Sequence, residues 1–333
     1  MKIMENRVWM VQVAGGEFVE VGMPLADLHA GEVLVEIAAA GVSVLDTKIR
    51  AGQAAHAKQP LPAVLGVEMA GTVVEVGPSV MKFRPGDEVY GMVGGVGGHQ
   101  GTLARYVVAD ARLLAVKPNA MNVREAAATP LNFITAWEGL IDHAKTSSGQ
   151  TVLVHGGAGG VGHLAVQIAR ACGADVYATV SKNKSTIVQS CGATPIDYTT
   201  TSVDEYVAEY TEAEGFDIIY DTIGGRTLDA CFQAVKPYTG HVVSCLGWGT
   251  HSLAPLSFRA ARYSGVFTLL PLLTGRGRSH HGDILSSATD LADAGKLKPL
   301  VNETRFPVSQ IAEAYTAAAA GGIGKVVVEM KDL

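Results

Sequence analysis

Three glycines, Gly157, Gly159 and Gly162, stand in the spacing G-x-G-x-x-G, and Gly160 and Val161 lie inside the same stretch. In a dinucleotide-binding turn, the first glycine allows a tight bend, the second lets the backbone approach a pyrophosphate, and the third lets the next helix pack on the preceding strand. Unpaired amides and the positive end of the helix dipole then face the phosphates. With 39 glycines in the chain, the spacing also fits a tight turn without a ligand.

The residues around this turn favour the dinucleotide site. A short apolar run over 152–154, typical of a buried parallel strand, precedes the glycines. Val161, Leu164, Ala165 and Ile168 follow at helical spacing. Strand, glycines and helix therefore occur in the order that gives the motif its meaning.

The end of the next strand points to the cofactor type. An NAD enzyme places an acid there for the ribose 2′-hydroxyl, but Asp175 stands at the strand's beginning, about 20 Å away at 3.3 Å per residue. Ser181, Lys182 and Lys184 occupy the end instead, and their hydroxyl and charges suit a 2′-phosphate. We therefore predict NADP(H), although both lysines also fit ordinary surface charge at a helix start.

Two later strands contribute further candidates. Thr222 and Ile223 follow the fourth strand of the pattern, and Leu246 and Gly247 follow the fifth. Loops at the carboxyl ends of parallel strands line the ligand crevice of such sheets. We expect both loops to reach the cofactor.

The elements that must position these residues alternate regularly from residue 126 to 272. Strands are predicted at 152–154, Asp175–Val180, Thr194–Tyr198, Phe216–Asp221, His241–Leu246 and Gly265–Leu270. Helical stretches separate them, which predicts a Rossmann domain with a doubly wound, six-stranded parallel sheet. Residues 1–125 read as mostly β with many turns, and residues 273–333 are expected to return to that first domain. The fold class is α/β.

Bulk properties exclude several functions. The net charge of −6 argues against nucleic acid as a partner, because phosphate binding needs a basic surface. No apolar run approaches the roughly 20 residues of a membrane span. The four cysteines are widely spaced, as in a reduced compartment, and the N-terminus lacks the apolar core of a signal peptide. A cytoplasmic enzyme with a small-molecule substrate is predicted.

Several motifs resemble the zinc-independent branch of the medium-chain dehydrogenase/reductase superfamily, the quinone oxidoreductases (zeta-crystallin-like) and their enoyl-reductase relatives. They are AGVSVLDTKIRAG, LGVEMAGTVVEVG, FRPGDEVYG, TPLNFITAWEGL, VLVHGGAGGVGHLAVQIAR and GKVVVEM. The resemblance implies a GroES-like catalytic domain interrupted by the Rossmann domain. It also implies further cofactor contacts, at Asn132, Thr135, Tyr198, Gly324 and Lys325.

Comparison with the zinc enzymes of that superfamily predicts no metal. They place a cysteine where this chain has Ser43, and a histidine where it has Val67. Valine cannot ligate zinc, and a serine hydroxyl is a poor substitute for a thiolate. The glycine-rich loop 91–101 replaces the four-cysteine structural-zinc lobe and contains no cysteine, and its lone His99 is expected to be solvated.

Without zinc, the hydride acceptor must already be electrophilic, and an enone or a quinone fits. The candidate catalytic residues are Ser43, which the resemblance places near the substrate oxygen, with Asp46 and Lys48. We expect Asp46 and Arg50 to form a structural ion pair at i,i+4 spacing, and Glu68 to be structural.

The predicted function is NADPH-dependent, metal-independent reduction of a quinone or an α,β-unsaturated carbonyl. Some relatives carry a tyrosine soon after the R-x-G turn as a proton donor, whereas residues 53–56 of this chain contain no tyrosine, which counts against a dedicated general acid and an enoyl-thioester substrate. An enoyl-thioester or alkenal reductase and a non-catalytic NADPH-binding sensor stay open as alternatives, and no general acid is assigned. We expect a homodimer that forms through the last Rossmann strand, where relatives pair and where an uncovered edge would pair with another chain.

Overall fold

The computed structural model describes residues 5–330. The chain divides into two compact units. The first takes the residues up to Leu131 and from Leu269 onward, and the second takes Asn132–Thr268. The sequence predicts domain boundaries at residues 126 and 272. These boundaries between the GroES-like and Rossmann domains stay a prediction.

The first unit is built mainly from β-strands. Its strands are β1 (Asn6–Val11), β2 (Phe18–Met23), β3 (Glu32–Val42), β4 (Ala63–Val64), β5 (Glu68–Val76), β6 (Glu88–Met92), β7 (Tyr106–Asp110), β8 (Leu114–Val116), β15 (Phe306–Pro307) and β16 (Val326–Glu329). Its helices are α1 (Val44–Arg50), α2 (Val123–Ala127), α9 (Leu270–Thr274), α10 (Arg278–Asp293) and α11 (Ile311–Ala320). Helix α3 (Pro130–Trp137) crosses into the second unit.

Two sheets organise the first unit. A small one has the order β2-β1-β4, and a larger one has the order β15-β16-β3-β5-β6-β8 with β7 also paired to β3. The long central strand β3 is buried over most of its length, and its pairing with β5 shifts register twice. Such bulges bend a sheet, as a partly closed barrel requires. The C-terminal strand β16 pairs with β3, so the tail returns to this unit as predicted.

The second unit is a six-stranded parallel sheet with helical crossovers. Its strands are β9 (Thr151–His155), β10 (Asp175–Val180), β11 (Thr194–Asp197), β12 (Ile218–Asp221), β13 (His241–Ser244) and β14 (Arg262–Gly265). Its further helices are α4 (Gly162–Ala171), α5 (Ser185–Ser190), α6 (Val203–Thr211), α7 (Arg226–Ala234) and α8 (Ala254–Phe258). The strand order β11-β10-β9-β12-β13-β14 is that of a doubly wound Rossmann sheet. The predicted fold class is confirmed.

The last strand of this sheet was placed wrongly. The predicted strand Gly265–Leu270 shares only Gly265 with the observed strand β14, and the apolar run continues into helix α9. A short apolar run does not distinguish a strand from a buried helix, and Pro271 in the first turn of α9 suits a helix start.

Burial explains why the sheet forms from these residues. Strands β9, β12 and β13 are buried at nearly every position, as parallel strands covered on both faces must be. Phe216, Tyr206 and Phe232 fill one such layer against Leu153 of β9. Within residues 5–330, no helix is both long and apolar enough to cross a membrane.

Candidate functional site

The glycine turn joins β9 to α4 as the motif requires. Gly156 has a φ of +75°, which favours glycine. A Cβ on Gly157 would lie 2.5 Å from the Cβ of Ala178 on β10, and one on Gly162 would collide with the Gly156 carbonyl oxygen. Both positions therefore exclude a side chain because backbone and neighbouring strand come too close.

The middle of the turn is open and suits a pyrophosphate. Gly159 and Gly160 are exposed, and a Cβ at Gly159 would meet only the Gly156 carbonyl oxygen, at 3.1 Å. Val161 occupies the N-cap of α4, and no side chain caps this helix start. The first-turn amide of His163 already donates to the Gly159 carbonyl oxygen over 3.1 Å. An anion can bind helix-start amides that have no such partner, so these residues fit the phosphates of a dinucleotide.

His163 holds this turn from the inside. Its Nδ1 lies 2.8 Å from the Gly159 carbonyl oxygen, and burial lowers the pKa of the imidazole to about 4. The ring is therefore neutral at neutral pH and supplies a hydrogen bond, not a positive charge.

The predicted 2′-phosphate residues lie just beyond β10. Ser181 and Lys184 are partly buried, and Lys182 is exposed. The Ser181 hydroxyl donates to Asn183 Oδ1 over 2.7 Å. Tyr198, after β11, is 60% exposed and available to a ligand. Asp175 starts β10 opposite Thr151, at the far end of the strand, as predicted.

Sequence reasoning missed one acid near these residues. Asp197 ends β11 and is paired in register with Val180, the last residue of β10. The hydroxyl of Thr199 lowers the pKa of this carboxyl most, and Lys182 lowers it further. A carboxylate therefore stands beside the lysine predicted to bind a phosphate. Attention to the neighbouring strand's end would have found it.

The loops after β12 and β13 contain the other predicted cofactor residues. Ile223 is 53% exposed and Leu246 is 37% exposed. The Thr222 hydroxyl is turned inward and donates to the His155 carbonyl oxygen over 2.6 Å. A Cβ on Gly247 would collide with the Tyr263 hydroxyl, so a larger residue there requires that tyrosine side chain to shift.

Helix α3 brings two further predicted residues into the second unit. Asn132 and Thr135 are each 8% exposed. The Asn132 amide lies near the glycine turn, 2.9 Å from where a Cβ on Gly160 would stand. Thr135 is anchored, since its carbonyl oxygen accepts from Tyr220 over 2.7 Å and its hydroxyl lies 3.0 Å from that of Thr268.

In the first unit, Ser43 and Asp46 form a capping box at the start of α1. The Ser43 hydroxyl donates to Asp46 Oδ2 over 2.5 Å, and the Asp46 amide donates to Ser43 Oγ over 3.2 Å. The predicted ion pair between Asp46 and Arg50 is wrong. The Arg50 guanidinium donates to the Gly16 carbonyl oxygen and stacks over Phe18, because Asp46 satisfies the helix start instead.

Charged groups are buried next to this box. The Lys325 ammonium contacts Glu68 Oε1, and Glu68 Oε2 accepts from the Leu131 amide over 2.8 Å. Burial raises the pKa of Asp46 to about 6, opposed by the Ser43 hydrogen bond and the Lys325 charge. Gly324, before the lysine, has a φ of +79°. Lys48, predicted with Ser43 and Asp46, is exposed on α1.

These donors do not fit a zinc ion. The Ser43 hydroxyl is engaged by Asp46, Val67 is fully buried and has no donor, and Glu68 is engaged by Lys325. Among the residues that the structure describes, no three His, Cys, Asp or Glu side chains are grouped to hold a metal. His99 is not simply solvated, since its Nε2 lies 3.2 Å from both the Leu272 carbonyl oxygen and Arg278 Nη2.

Comparisons with known proteins agree with this architecture. A model of the alcohol dehydrogenase GroES-like domain matches residues 29–119, and a zinc-binding dehydrogenase model matches residues 191–328. A solved structure of an alcohol dehydrogenase superfamily protein from Novosphingobium aromaticivorans is 51% identical, with a TM-score of 0.96 over 98% of this chain and 100% of that one.

Two relatives of known name match almost the whole chain. The chloroplastic NADPH-dependent alkenal/one oxidoreductase of Arabidopsis thaliana is 34% identical over 97% of this chain and 79% of its own length. The spectinabilin polyketide synthase system protein NorB of Streptomyces orinoci is 33% identical over 97% of this chain, which spans only 14% of that protein. The chain belongs to the medium-chain dehydrogenase/reductase superfamily and, within it, to the quinone oxidoreductase-like proteins.

Proposed function

We propose that this protein is an NADPH-dependent reductase that transfers a hydride to a quinone or an α,β-unsaturated carbonyl without a bound metal. One observation carries the proposal. The chain has a glycine turn in which Gly157 and Gly162 leave no room for a side chain. At the positions of the zinc ligands, Val67 has no ligand atom, and Ser43 and Glu68 are already engaged by other residues. The acceptor must then be electrophilic by itself, as enones and quinones are, and the oxidation of simple alcohols is disfavoured because nothing replaces zinc in stabilising the alkoxide.

Each predicted residue has a task in this proposal. The turn from Gly157 to Gly162, with Val161 at the helix start, binds the pyrophosphate. Asn132, Thr135, Thr222, Ile223, Leu246 and Gly247 flank the nicotinamide half, with Gly324 and Lys325 assigned to it by the family resemblance. When bound, NADPH supplies two electrons and a proton as a hydride, and the reduced acceptor takes a second proton from water.

Ser43 and Asp46 are proposed to act on the substrate oxygen as a pair. The single hydroxyl hydrogen of Ser43 is directed at the Asp46 carboxylate. Ser43 can donate it to a substrate only when Asp46 carries a proton, and the raised pKa of Asp46, about 6, brings that state near neutral pH. Lys48 is exposed and is kept as the third candidate.

The preference for NADPH rests on Ser181, Lys182 and Lys184, with Tyr198 beside them. Two ammonium groups and a hydroxyl suit a dianionic phosphate. Asp197 works against this preference by repelling the dianion, so the net effect depends on the two lysines outweighing one carboxylate. The name of the Arabidopsis relative supports both NADPH and an alkenal or enone acceptor.

An enoyl-thioester acceptor is the second candidate. The resemblance of the sequence motifs to enoyl reductases supports it. The chemistry at the hydride acceptor is the same, and only the substrate tail differs.

A steady-state screen of NADPH oxidation tests the proposal. The acceptors are 9,10-phenanthrenequinone, 1,4-benzoquinone, a short enone, a 2-alkenal and an enoyl thioester, each with and without EDTA. We expect turnover on the quinone or enone that the chelator leaves unchanged.

Three results would contradict it. Turnover that is abolished by EDTA and restored by zinc would show that the reaction needs a metal. Turnover on the thioester alone would favour the second candidate. Tight NADPH binding without turnover on any acceptor would identify a sensor.

We also propose a reduced, cytoplasmic setting, which is supported by four cysteines that are all free thiols.

A further inference from the structure

Four strands of the parallel sheet carry a buried polar residue at the same level near their carboxyl ends. Thr179 of β10 pairs in register with His155 of β9, His155 pairs with Asp221 of β12, and Asp221 pairs with Ser244 of β13. We call these four residues the polar row. None is more than 5% exposed, and Asp221 is fully buried. Buried polar groups are costly unless they are hydrogen-bonded, so the bonds of the row are informative.

Asp221 fixes the loop that follows its own strand. One carboxylate oxygen, Oδ1, accepts from the amides of Ile223 and Gly224, each over 3.0 Å. Hydrogen bonds to a charged acceptor are stronger than those between neutral groups. The conformation of residues 222–224 is therefore set from beneath by one buried carboxylate.

The same carboxylate reaches the next loop through Ser244. Asp221 Oδ2 accepts from the Ser244 hydroxyl over 2.7 Å, and Ser244 Oγ accepts from the Leu246 amide over 3.1 Å. The two loops also touch, because a Cβ on Gly224 would lie 2.5 Å from the Leu246 carbonyl oxygen. Asp221 and Ser244 thus hold both loops in one arrangement.

The other half of the row holds the glycine turn. Thr179 Oγ1 accepts from the Gly156 amide over 3.2 Å and lies 3.0 Å from His155 Nδ1. The Thr222 hydroxyl closes the connection by donating to the His155 carbonyl oxygen. Burial lowers the pKa of His155 to about 4, so the imidazole is neutral where its Nδ1 meets Thr179 Oγ1.

We propose that Asp221 and Ser244 are positioning residues for the nicotinamide half of the nucleotide site. They act by holding the loops at Thr222–Gly224 and Leu246 in their binding arrangement before the nucleotide arrives. This inference rests on the proposed function. Loops ordered in advance bind more tightly because less conformational entropy is lost on binding. Adenosine binds at the other side of the glycine turn, towards β10 and β11, and should not depend on these two loops.

The test compares two hydroxyl deletions in the same sheet. Ser244→Ala removes the link between Asp221 and Leu246. Thr151→Val removes a matched hydroxyl at the amino end of β9, where Thr151 Oγ1 donates to Asp217 Oδ2 over 3.0 Å. Titration calorimetry measures the Kd of NADPH and of adenosine 2′,5′-bisphosphate, and thermal unfolding measures the Tm of each variant.

For Ser244→Ala we expect the Kd of NADPH to rise about tenfold while that of the bisphosphate stays unchanged. Thr151→Val should lower the Tm and leave both dissociation constants unchanged. Asp221→Asn keeps one oxygen for the two amides but loses the negative charge and the oxygen that accepts from Ser244, so its rise should be at least as large as that of Ser244→Ala.

Two results would overturn the inference while leaving the proposed function intact. One is a wild-type NADPH Kd in Ser244→Ala, and the other is an equal loss of NADPH and bisphosphate binding in that variant. If the wild-type protein binds no NADPH, the proposed function fails and the inference fails with it.

Discussion

At the scale of single residues, the proposed preference for NADPH depends on a balance between Lys182 and Asp197. The lysine was identified from its place after the second Rossmann strand, whereas the acid lies at the end of the neighbouring strand. Their proximity is enough for the lysine charge to lower the pKa of Asp197. A 2′-phosphate near Lys182 would be attracted by one residue and repelled by the other.

Reversing the charge of Lys182 or removing that of Asp197 should change NADPH binding and spare NADH. Lys182→Glu removes an attraction and adds a repulsion, so we expect the Kd of NADPH to rise by about tenfold or more. Asp197→Asn should lower it. Fluorescence titration with both nucleotides measures the effect. Equal losses for NADPH and NADH in Lys182→Glu would remove the phosphate contact from the proposal.

A second residue-scale prediction concerns the buried histidines. His163 has a pKa of about 4 in the folded protein, against about 6.5 for an unperturbed side chain. Between these values the unfolded chain binds more protons, so stability falls as the pH is lowered from 6.5 towards 4. Urea unfolding of His163→Gln should therefore show a shallower fall between pH 7 and pH 5 than the wild type. The same pH dependence in both proteins would contradict the assignment.

Asp46 has the opposite linkage. Its folded pKa of about 6 lies above the ordinary value of 3.8, so its contribution to stability is present at low pH and is lost as the pH rises through 6. The two effects offset each other in the wild type. The contribution of His163 therefore shows only in the difference between the variant and the wild type.

At the scale of elements, the glycine turn separates two kinds of glycine. Gly157 is needed for packing, because a Cβ would lie 2.5 Å from that of Ala178. Gly159 is exposed and faces open space apart from the Gly156 carbonyl oxygen at 3.1 Å. Gly157 therefore protects the packing, and in the proposed function Gly159 keeps room for the nucleotide phosphates.

Alanine at these two positions should therefore have different effects. Gly157→Ala should lower the Tm by several degrees, since overpacking costs about 1–3 kcal/mol. Gly159→Ala should keep the wild-type Tm and weaken NADPH binding, because its methyl group occupies the place of the phosphates. Thermal unfolding and NADPH titration of both variants distinguish the effects. Normal NADPH binding by Gly159→Ala would place the pyrophosphate elsewhere.

At the scale of the whole molecule, the edge strand β14 offers a surface for self-association. It pairs with β13 on one side, and the structure shows no strand of the described residues on the other. Phe258, at the end of α8 just before this strand, is 88% exposed, and Leu253 is 58% exposed. We propose a homodimer through this edge, with β14 at Arg262–Gly265 as the pairing strand in place of the predicted strand Gly265–Leu270.

A charge at this surface should separate the dimer. Phe258→Asp is expected to give a monomer by light scattering, because a carboxylate would be buried without a partner in the interface. Met81→Asp is the matched control, since Met81 is 94% exposed in the first unit and should not affect association. A monomeric wild type, or a dimeric Phe258→Asp, would refute this interface.

The sequence predicted more of the fold than of the site contacts. The alternation of strands and helices, the doubly wound parallel type of the sheet and the return of the tail could be predicted, because periodicity and glycine placement are local signals. The position of β14 was not, since an apolar run over 265–273 fits a strand or a helix equally well. The ion pair of Asp46 with Arg50 was wrong because i,i+4 spacing permits a contact without requiring it.

The sequence by itself determined two features, the glycine spacing of the turn and the lack of a thiolate and an imidazole at the zinc-ligand positions. Both depend only on residue type at fixed spacing. Only the tertiary structure decided which polar groups meet. The polar row joins Thr179, His155, Asp221 and Ser244 from four strands spread over 90 residues, and its register is set by the pairing of the sheet. Strand pairing is a non-local property, and no single stretch of sequence contains it.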